Sequence, residues 1–351
     1  MLQPYTRQQL DSLCVQRAGE SRLGQHICLP QPGANLTQQL AQAKNAGCRY
    51  ALLGIAEDIG PRANFGLPGA DKGWSAFLTR FLNLQANSFI NAAEILLLGE
   101  ISCHDLQTQA KDLHSQDPGQ LNTLRDLVSV LDQRVTEVVQ AIFTAGLMPI
   151  VIGGGHNNSY PLLKALTLSS GQSANSANLD PHADFRPLEG RHSGNGFSYA
   201  KAQGHLQHYL VMGLHELKNS ASSLAQIKNA GVDILSYQQL FVRGQAPWPE
   251  LLKLWLSQRN PQQVFGIELD TDAITGMPVS AYNSCGVSVQ QAEHFVYVLA
   301  SQTQSRYLHL AEAAPAQHPA GLAAGNNEAG QVLAALVFAF MQGKQHQAPL
   351  F

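Results

Sequence analysis

Four short runs of apolar or small residues in this sequence lead into a residue that can hold a metal ion or a cationic ligand. Met148–Ile152 runs into Gly153-Gly154-Gly155-His156, and Ser173–Leu179 into Asp180-Pro181-His182-Ala183-Asp184. Gln263–Leu269 runs into Asp270-Thr271-Asp272, and Arg306–Ala311 into Glu312. Short runs made mainly of apolar and small residues read as strands buried on both faces. Similar runs at Tyr50–Gly54, Glu94–Gly99, His208–Leu214 and Asp233–Leu235 bring the expected number of strands to about eight.

Segments with helical character separate these strands, at Trp74–Leu84, Leu124–Ala145, Tyr160–Leu168, Ser222–Ala230, Pro247–Ser257, Ser288–Ser301 and Asn326–Met341. The segment Gln107–Asn122 is polar and reads as irregular at its start. Strand–helix alternation implies a mainly parallel sheet with helices on both faces, an α/β three-layer sandwich. No repeat or linker divides it. We therefore expect one domain over residues 46–351, with residues 1–45 a Gln-rich lead-in of helix and irregular structure packed on it. In such a sheet the strands point one way, so His156, Asp180, Asp270 and Glu312 should gather at one edge despite their separation in sequence.

Composition narrows the partners. A net charge of -3 and 13% charged residues give no case for nucleic acid or a membrane surface. No apolar run approaches the roughly 20 residues that span a bilayer, and the first ten residues lack a signal-peptide core. Five scattered cysteines, never spaced as C-x-x-C, favour reduced thiols and a cytoplasmic location.

Asp180, Asp184, Asp270 and Asp272 would put four carboxylates in one pocket, and unpaired buried anions are costly. Two divalent cations would balance them, with His156 and His182 completing the shells. Carboxylate and imidazole without thiolate suit manganese, iron, nickel or zinc better than copper(I) or a structural zinc site. Geometry adds a condition. Extended chain would separate residues 180 and 184 by about 13 Å, too far to share an ion. The chain must therefore curl at once after Asp180, and Pro181 suits a strand that stops there.

The three motifs, G-G-G-H, D-P-H-A-D and E-L-D-T-D, followed by a strand ending in Glu shortly before Pro315, resemble those of the ureohydrolases (arginase, agmatinase, formimidoylglutamase and relatives). The resemblance spans roughly residues 50–343 and implies an arginase-like fold. It implies one ion held by His156, Asp180, Asp184 and Asp270, and a second by Asp180, His182, Asp270 and Asp272. It also implies two Mn2+ ions, with other divalent transition metals as alternatives, and a hydroxide between them that attacks an amidine or guanidine carbon. Relatives are commonly trimers or hexamers, so a homo-oligomer is an expectation. Three departures stand out against G-G-D-H, D-A-H-x-D and S-x-D-x-D: Gly155 for Asp, Pro181 for a small residue and Glu268 for Ser.

By the same resemblance Glu312 is the carboxylate that grips the substrate's cationic fork. His192 is the expected shuttle for the leaving amine's proton, with His215 next. Arg186, Arg191 and Asn195, with Arg62 and Asn64 in the first strand-end loop, are expected to meet the substrate. The stretches E-D-I-G-P-R-A-N-F-G and G-R-H-S-G-N-G-F look most like the formimidoylglutamase branch, a step of histidine catabolism. The expected reaction is formimidoylglutamate and water to glutamate and formamide. Urea-releasing hydrolysis of arginine, agmatine or another guanidino acid is the alternative, and an inactive metal-binding protein is the alternative of another class.

Overall fold

Apolar runs that cannot show one face to water must be covered on both, and the chain builds this arrangement. The computed structural model describes residues 1–302 and 304–346. Its strands are β1 (Leu2–Gln3), β2 (Tyr50–Gly54), β3 (Ile95–Ile101), β4 (Met148–Ile152), β5 (Ala174–Leu179), β6 (Leu206–Leu214), β7 (Asp233–Ser236), β8 (Phe265–Asp270) and β9 (Ser305–Ala311). They form one nine-stranded sheet in the order β1-β3-β2-β4-β9-β8-β5-β6-β7. Every pairing is parallel except that of β1 with β3.

Successive strand residues supply opposite layers. Leu52, Ile150, Ile152, Leu308 and Leu310 join one core with Trp74, Phe77, Phe295, Leu333 and Phe340. Leu53, Val151 and Tyr307 join the other with Leu131, Val135, Leu163 and Phe197. The first core is closed by helices Gly73–Phe81, Val289–Ala300 and Leu322–Gln345, and the second by Pro118–Thr144 and Ser159–Ser170. The α/β sandwich is as expected. No helix among the described residues is long and apolar enough to cross a membrane.

Two local differences have physical causes. The lead-in contributes the ninth strand, in which Leu2 and Gln3 pair with Ile101 and Glu100. A two-residue strand carries no period that a sequence could display. The stretch expected to be irregular at its start instead holds helix His104–Ala110, and the long helix begins at Pro118. There Asp117 caps the helix by accepting the Gln120 amide at 3.0 Å, and a proline is well suited to the first turn.

The strand order sets up the site. β4, β9, β8 and β5 are four consecutive strands in the middle of the sheet. They are the four that lead into His156, Glu312, Asp270 and Asp180.

Candidate metal centre

The same local device ends two of these strands. Beyond β5, the Asp180 Oδ1 accepts the His182 amide at 2.6 Å, and at the end of β8 the Asp270 Oδ1 accepts the Asp272 amide at 2.9 Å. Each aspartate so folds its own chain back within two residues, as aspartate does in turns. The curl after Asp180 is completed by Asp184 itself, whose φ is 45°. β4 ends differently. Gly153 and Gly154 take φ values of 90° and 73°, open to glycine, and bring His156 to the start of a short 3-10 turn.

All six expected ligands converge. His156 Nδ1 lies 2.9 Å from Asp184 Oδ2, 3.3 Å from Asp180 Oδ2 and 3.5 Å from Asp270 Oδ2. His182 Nδ1 lies 3.0 Å from Asp272 Oδ2 and 3.6 Å from Asp180 Oδ1. The six fall into two ligand clusters, His156–Asp180–Asp184–Asp270 and Asp180–His182–Asp272, and behind them His156 also forms a wholly buried group with Glu268 and His309. The two oxygens of Asp180 face one cluster each, Oδ2 toward His156 and Oδ1 toward His182, so this carboxylate could serve both. Asp270 falls in the first cluster, while its other oxygen receives the Asp272 amide.

The donor set fits divalent cations. Nδ1 of His156, on the side of the cluster, and Oδ1 of Asp272 are buried without a hydrogen-bond partner, a state that proteins rarely tolerate. The electrostatics agree. Burial and the neighbouring Asp180 raise Asp184 to about 6, and burial with Asp270 raises Asp272 well above the carboxylate range. Burial opposes charge on His156, yet Asp180, Asp184, Asp270 and Glu268 drive its pKa well upward. The pocket holds more negative charge than its histidines can offset, so a bound cation would relieve it.

Above the clusters lies a cavity of about 670 Å³. The three described non-glycine residues with left-handed backbone, Phe65, Asp184 and Glu312, all line it. Such strain tends to collect at functional sites. Glu312 has a φ of 66°, and its Oε1 accepts the His156 amide at 2.9 Å. Its carboxylate therefore belongs to the cavity floor, beside the clusters but in neither of them.

Of the residues expected to meet substrate, Arg186 and Asn64 line the cavity. The other three, Arg191, Asn195 and Arg62, and the expected shuttle His192 lie outside its lining. Arg191 is buried, its Nε 2.8 Å from Asp132 Oδ2, its Nη2 2.8 Å from the Asn157 carbonyl oxygen, and its guanidinium carbon 4.8 Å from the ring centres of both Tyr160 and Tyr199. Asn195 is buried beneath the same loop, donating to the Gly190 and Pro187 carbonyls. Arg62 donates to the carbonyls of Ala110 and Leu113 at 2.7 and 2.8 Å, tying its loop to a neighbouring turn. His192 is wholly buried, its Nδ1 accepting the Gly194 amide and its Nε2 facing Glu189. Burial, with Arg125 and Arg191 nearby, lowers it to about 3, which is unsuited to carrying a proton near neutral pH. Arg191, Asn195 and His192 hold their loop from behind, and Arg62 holds the first strand-end loop. His215, the second shuttle candidate, is occupied by Gln238 and the Leu217 amide. His182 is the histidine in the cavity wall.

Sequence reasoning missed Lys218 on the cavity wall and Glu57 beneath it. Lys218 follows β6, and its signal was its place after a strand end. Glu57 accounts for the unusual Gly155. Its buried carboxylate accepts the amides of Gly155 at 2.7 Å and Gly60 at 2.9 Å, and the Asn158 side chain at 2.9 Å. A Cβ on Gly155 would lie 2.3 Å from Pro61 Cδ and 2.4 Å from Asn157 Oδ1. Glu57 thus supplies a carboxylate to this turn from another loop, and the turn has no space for one of its own. Restoring the family's residue by Gly155→Asp should therefore lower thermal stability and metal uptake together. A Gly155→Asp protein with unchanged melting temperature and metal content would contradict this reading of the turn.

The profile of the arginase family matches residues 49–341. A formimidoylglutamase of Streptococcus gordonii is 26% identical over 251 residues, 69% of this chain and 70% of the relative. One from Macrococcus caseolyticus is 26% identical over 268 residues, 75% and 77% of the two chains. Among solved structures, the Bacillus subtilis formimidoylglutamase superposes with a TM-score of 0.70 at 17% identity, over 94% of each chain. The Trypanosoma cruzi formiminoglutamase with Mn2+ superposes with a TM-score of 0.70 at 19% identity, over 94% of this chain and all of that one (100%).

Proposed function

This chain belongs to the arginase family, and we propose that it hydrolyses the C–N bond of formimidoylglutamate, releasing glutamate and formamide. One observation carries the choice of substrate: the cavity is anionic at its floor and cationic on its wall. Glu312 and the metal-site carboxylates line the floor, while Arg186 and Lys218, both exposed, line the wall. Formimidoylglutamate has the matching polarity, with a cationic amidine at one end and two carboxylates at the other. The curated relatives above, which are formimidoylglutamases, support the same reading.

The residues present would hold two ions: His156, Asp180, Asp184 and Asp270 the first, and His182 and Asp272, with Asp180 shared, the second. The ions, Mn2+ in this reading, supply when bound the positive charge that makes a water nucleophilic near neutral pH. The chain's own residues do the rest. Glu312 receives the amidinium in paired N–H to carboxylate hydrogen bonds and aims its carbon at the clusters. Arg186 and Lys218 hold the distal carboxylates, so that the amidine end alone reaches the floor. Asn64, 3.4 Å from Ser193 Oγ, offers an amide where the two loops meet.

Product analysis tests the proposal. Protein supplied with Mn2+ and a panel of amidines and guanidines should release formamide and glutamate from formimidoylglutamate. Urea from arginine or agmatine, with no formamide from formimidoylglutamate, would overturn the substrate. No turnover of any amidine by metal-loaded protein would instead favour a binding role. Arg186→Met and Lys218→Met should each raise KM for formimidoylglutamate about tenfold, the scale of one lost charge-assisted hydrogen bond. Unchanged KM in both would remove the wall residues from the recognition.

A further inference from the structure

The mechanism above leaves a buried polar unit unused. Directly behind the first ligand cluster, β8 and β9 pair Gly266 with Tyr307 and Glu268 with His309. Glu268, His309, Tyr307 and His156 all have zero exposure. The Tyr307 hydroxyl donates to Glu268 Oε1 at 2.6 Å, and His309 Nδ1 lies 2.6 Å from Glu268 Oε2. The same Oε2 faces His156 Nε2 at 3.4 Å. A Cβ on Gly266 would lie 2.1 Å from the Tyr307 ring, so the missing side chain is what lets that phenol lie across the strand and reach the carboxylate.

A buried carboxylate is costly unless it is paired and hydrogen-bonded. Glu268 has a hydrogen-bond partner on each oxygen, and the ring beyond it is a metal-ligand histidine. Neutral imidazole carries its proton on one nitrogen only. His156 Nδ1 faces Asp180, Asp184 and Asp270, where a cation would sit, so the proton belongs on Nε2, toward Glu268. A carboxylate in that place fixes the tautomer and ring orientation of a ligand histidine and increases its basicity.

We infer that Glu268, clamped by His309 and Tyr307, is a positioning residue that selects the metal-binding tautomer and ring orientation of His156 and so sets the affinity of the first ion site. The inference rests on the two-ion reading of the centre. It also gives the Glu that replaces Ser in the S-x-D-x-D pattern a definite task, since the shorter serine side chain cannot span between His309 and His156 in this way.

The test is titration of the full-length, metal-free protein with Mn2+ by calorimetry, with electron paramagnetic resonance to follow the bound ions. Glu268→Gln keeps the shape and removes the charge. It should weaken one of two binding events about 10- to 100-fold and leave the other nearly unchanged. Tyr307→Phe removes one clamp and keeps the ring, and should weaken the same event about fivefold, the scale of one hydrogen bond. Parental affinity for both ions in folded Glu268→Gln would overturn the inference. So would equal weakening of both ions, which would indicate general destabilisation. If Glu268→Gln fails to fold, Tyr307→Phe decides, and unchanged binding there overturns the inference. A parent protein that takes a single ion would overturn the two-ion reading instead. Loss of that ion's affinity in Glu268→Gln would still support Glu268.

Discussion

Asp180→Ala and Asp270→Ala should each abolish turnover and reduce bound metal from two ions per chain to one or none. The two substitutions act by different routes. Asp180 Oδ2 lies 3.3 Å from His156 Nδ1 and Asp180 Oδ1 3.6 Å from His182 Nδ1, so its loss opens both clusters. Asp270 lies 3.5 Å from His156 Nδ1 and also receives the Asp272 amide at 2.9 Å. Its loss removes one ligand and releases the turn that presents another. Metal content of purified protein, measured beside turnover, checks both. Full activity with two ions in either variant would sink the two-ion mechanism. Neither substitution removes core packing, so the metal-free variants should still melt cooperatively.

Glu312→Gln should show the opposite split, with two ions retained and kcat/KM reduced by about 10² to 10³. Glu312 belongs to neither ligand cluster, so metal content has no reason to change. Its carboxylate takes the His156 amide at 2.9 Å, and glutamine can accept that bond too. What glutamine cannot do is neutralise an amidinium. Loss of one partner from a buried, hydrogen-bonded charge pair costs about 2–5 kcal/mol, which sets the scale of the expected loss. The peptide's left-handed φ of 66° should survive, because the Glu312 amide donates to the Gly154 carbonyl at 2.9 Å whichever side chain is present. Near-parental kcat/KM would show that the floor carboxylate does not hold the reacting group.

These expectations differ in how much of their basis was legible in the sequence. The candidate ligands were legible because each is part of a local device. Asp180-x-His182 and Asp270-x-Asp272 are each a strand end plus a turn in which the aspartate takes the amide two residues on, and both turns form as the residue types demand. Gly153 and Gly154 likewise declared a backbone that only glycine adopts freely.

The loop from Arg186 to Asn195 was not legible in this way. Arg186 and Arg191 are the same residue type five positions apart, yet one lines the cavity and the other is buried against Asp132, a partner 59 residues away. Arg62 is held by carbonyls 48 and 51 residues away. His192 has a shuttle's chemistry, but the surrounding fold buries it and places arginines near it. Lys218 reaches the cavity only because the end of β6 is close in space.

The sequence by itself determined eight of the nine strands, their ends and the positions of the six candidate ligands. Apolar runs buried on both faces and aspartate or glycine turns are consequences of short-range chemistry. The tertiary structure alone decided that β4, β9, β8 and β5 are neighbours, that Glu57 serves the turn around Gly155, and that Glu268 backs His156. It also decided which loop cations face the cavity. Each of those outcomes depends on pairings between distant segments, and a side chain's charge does not record which distant partner will claim it.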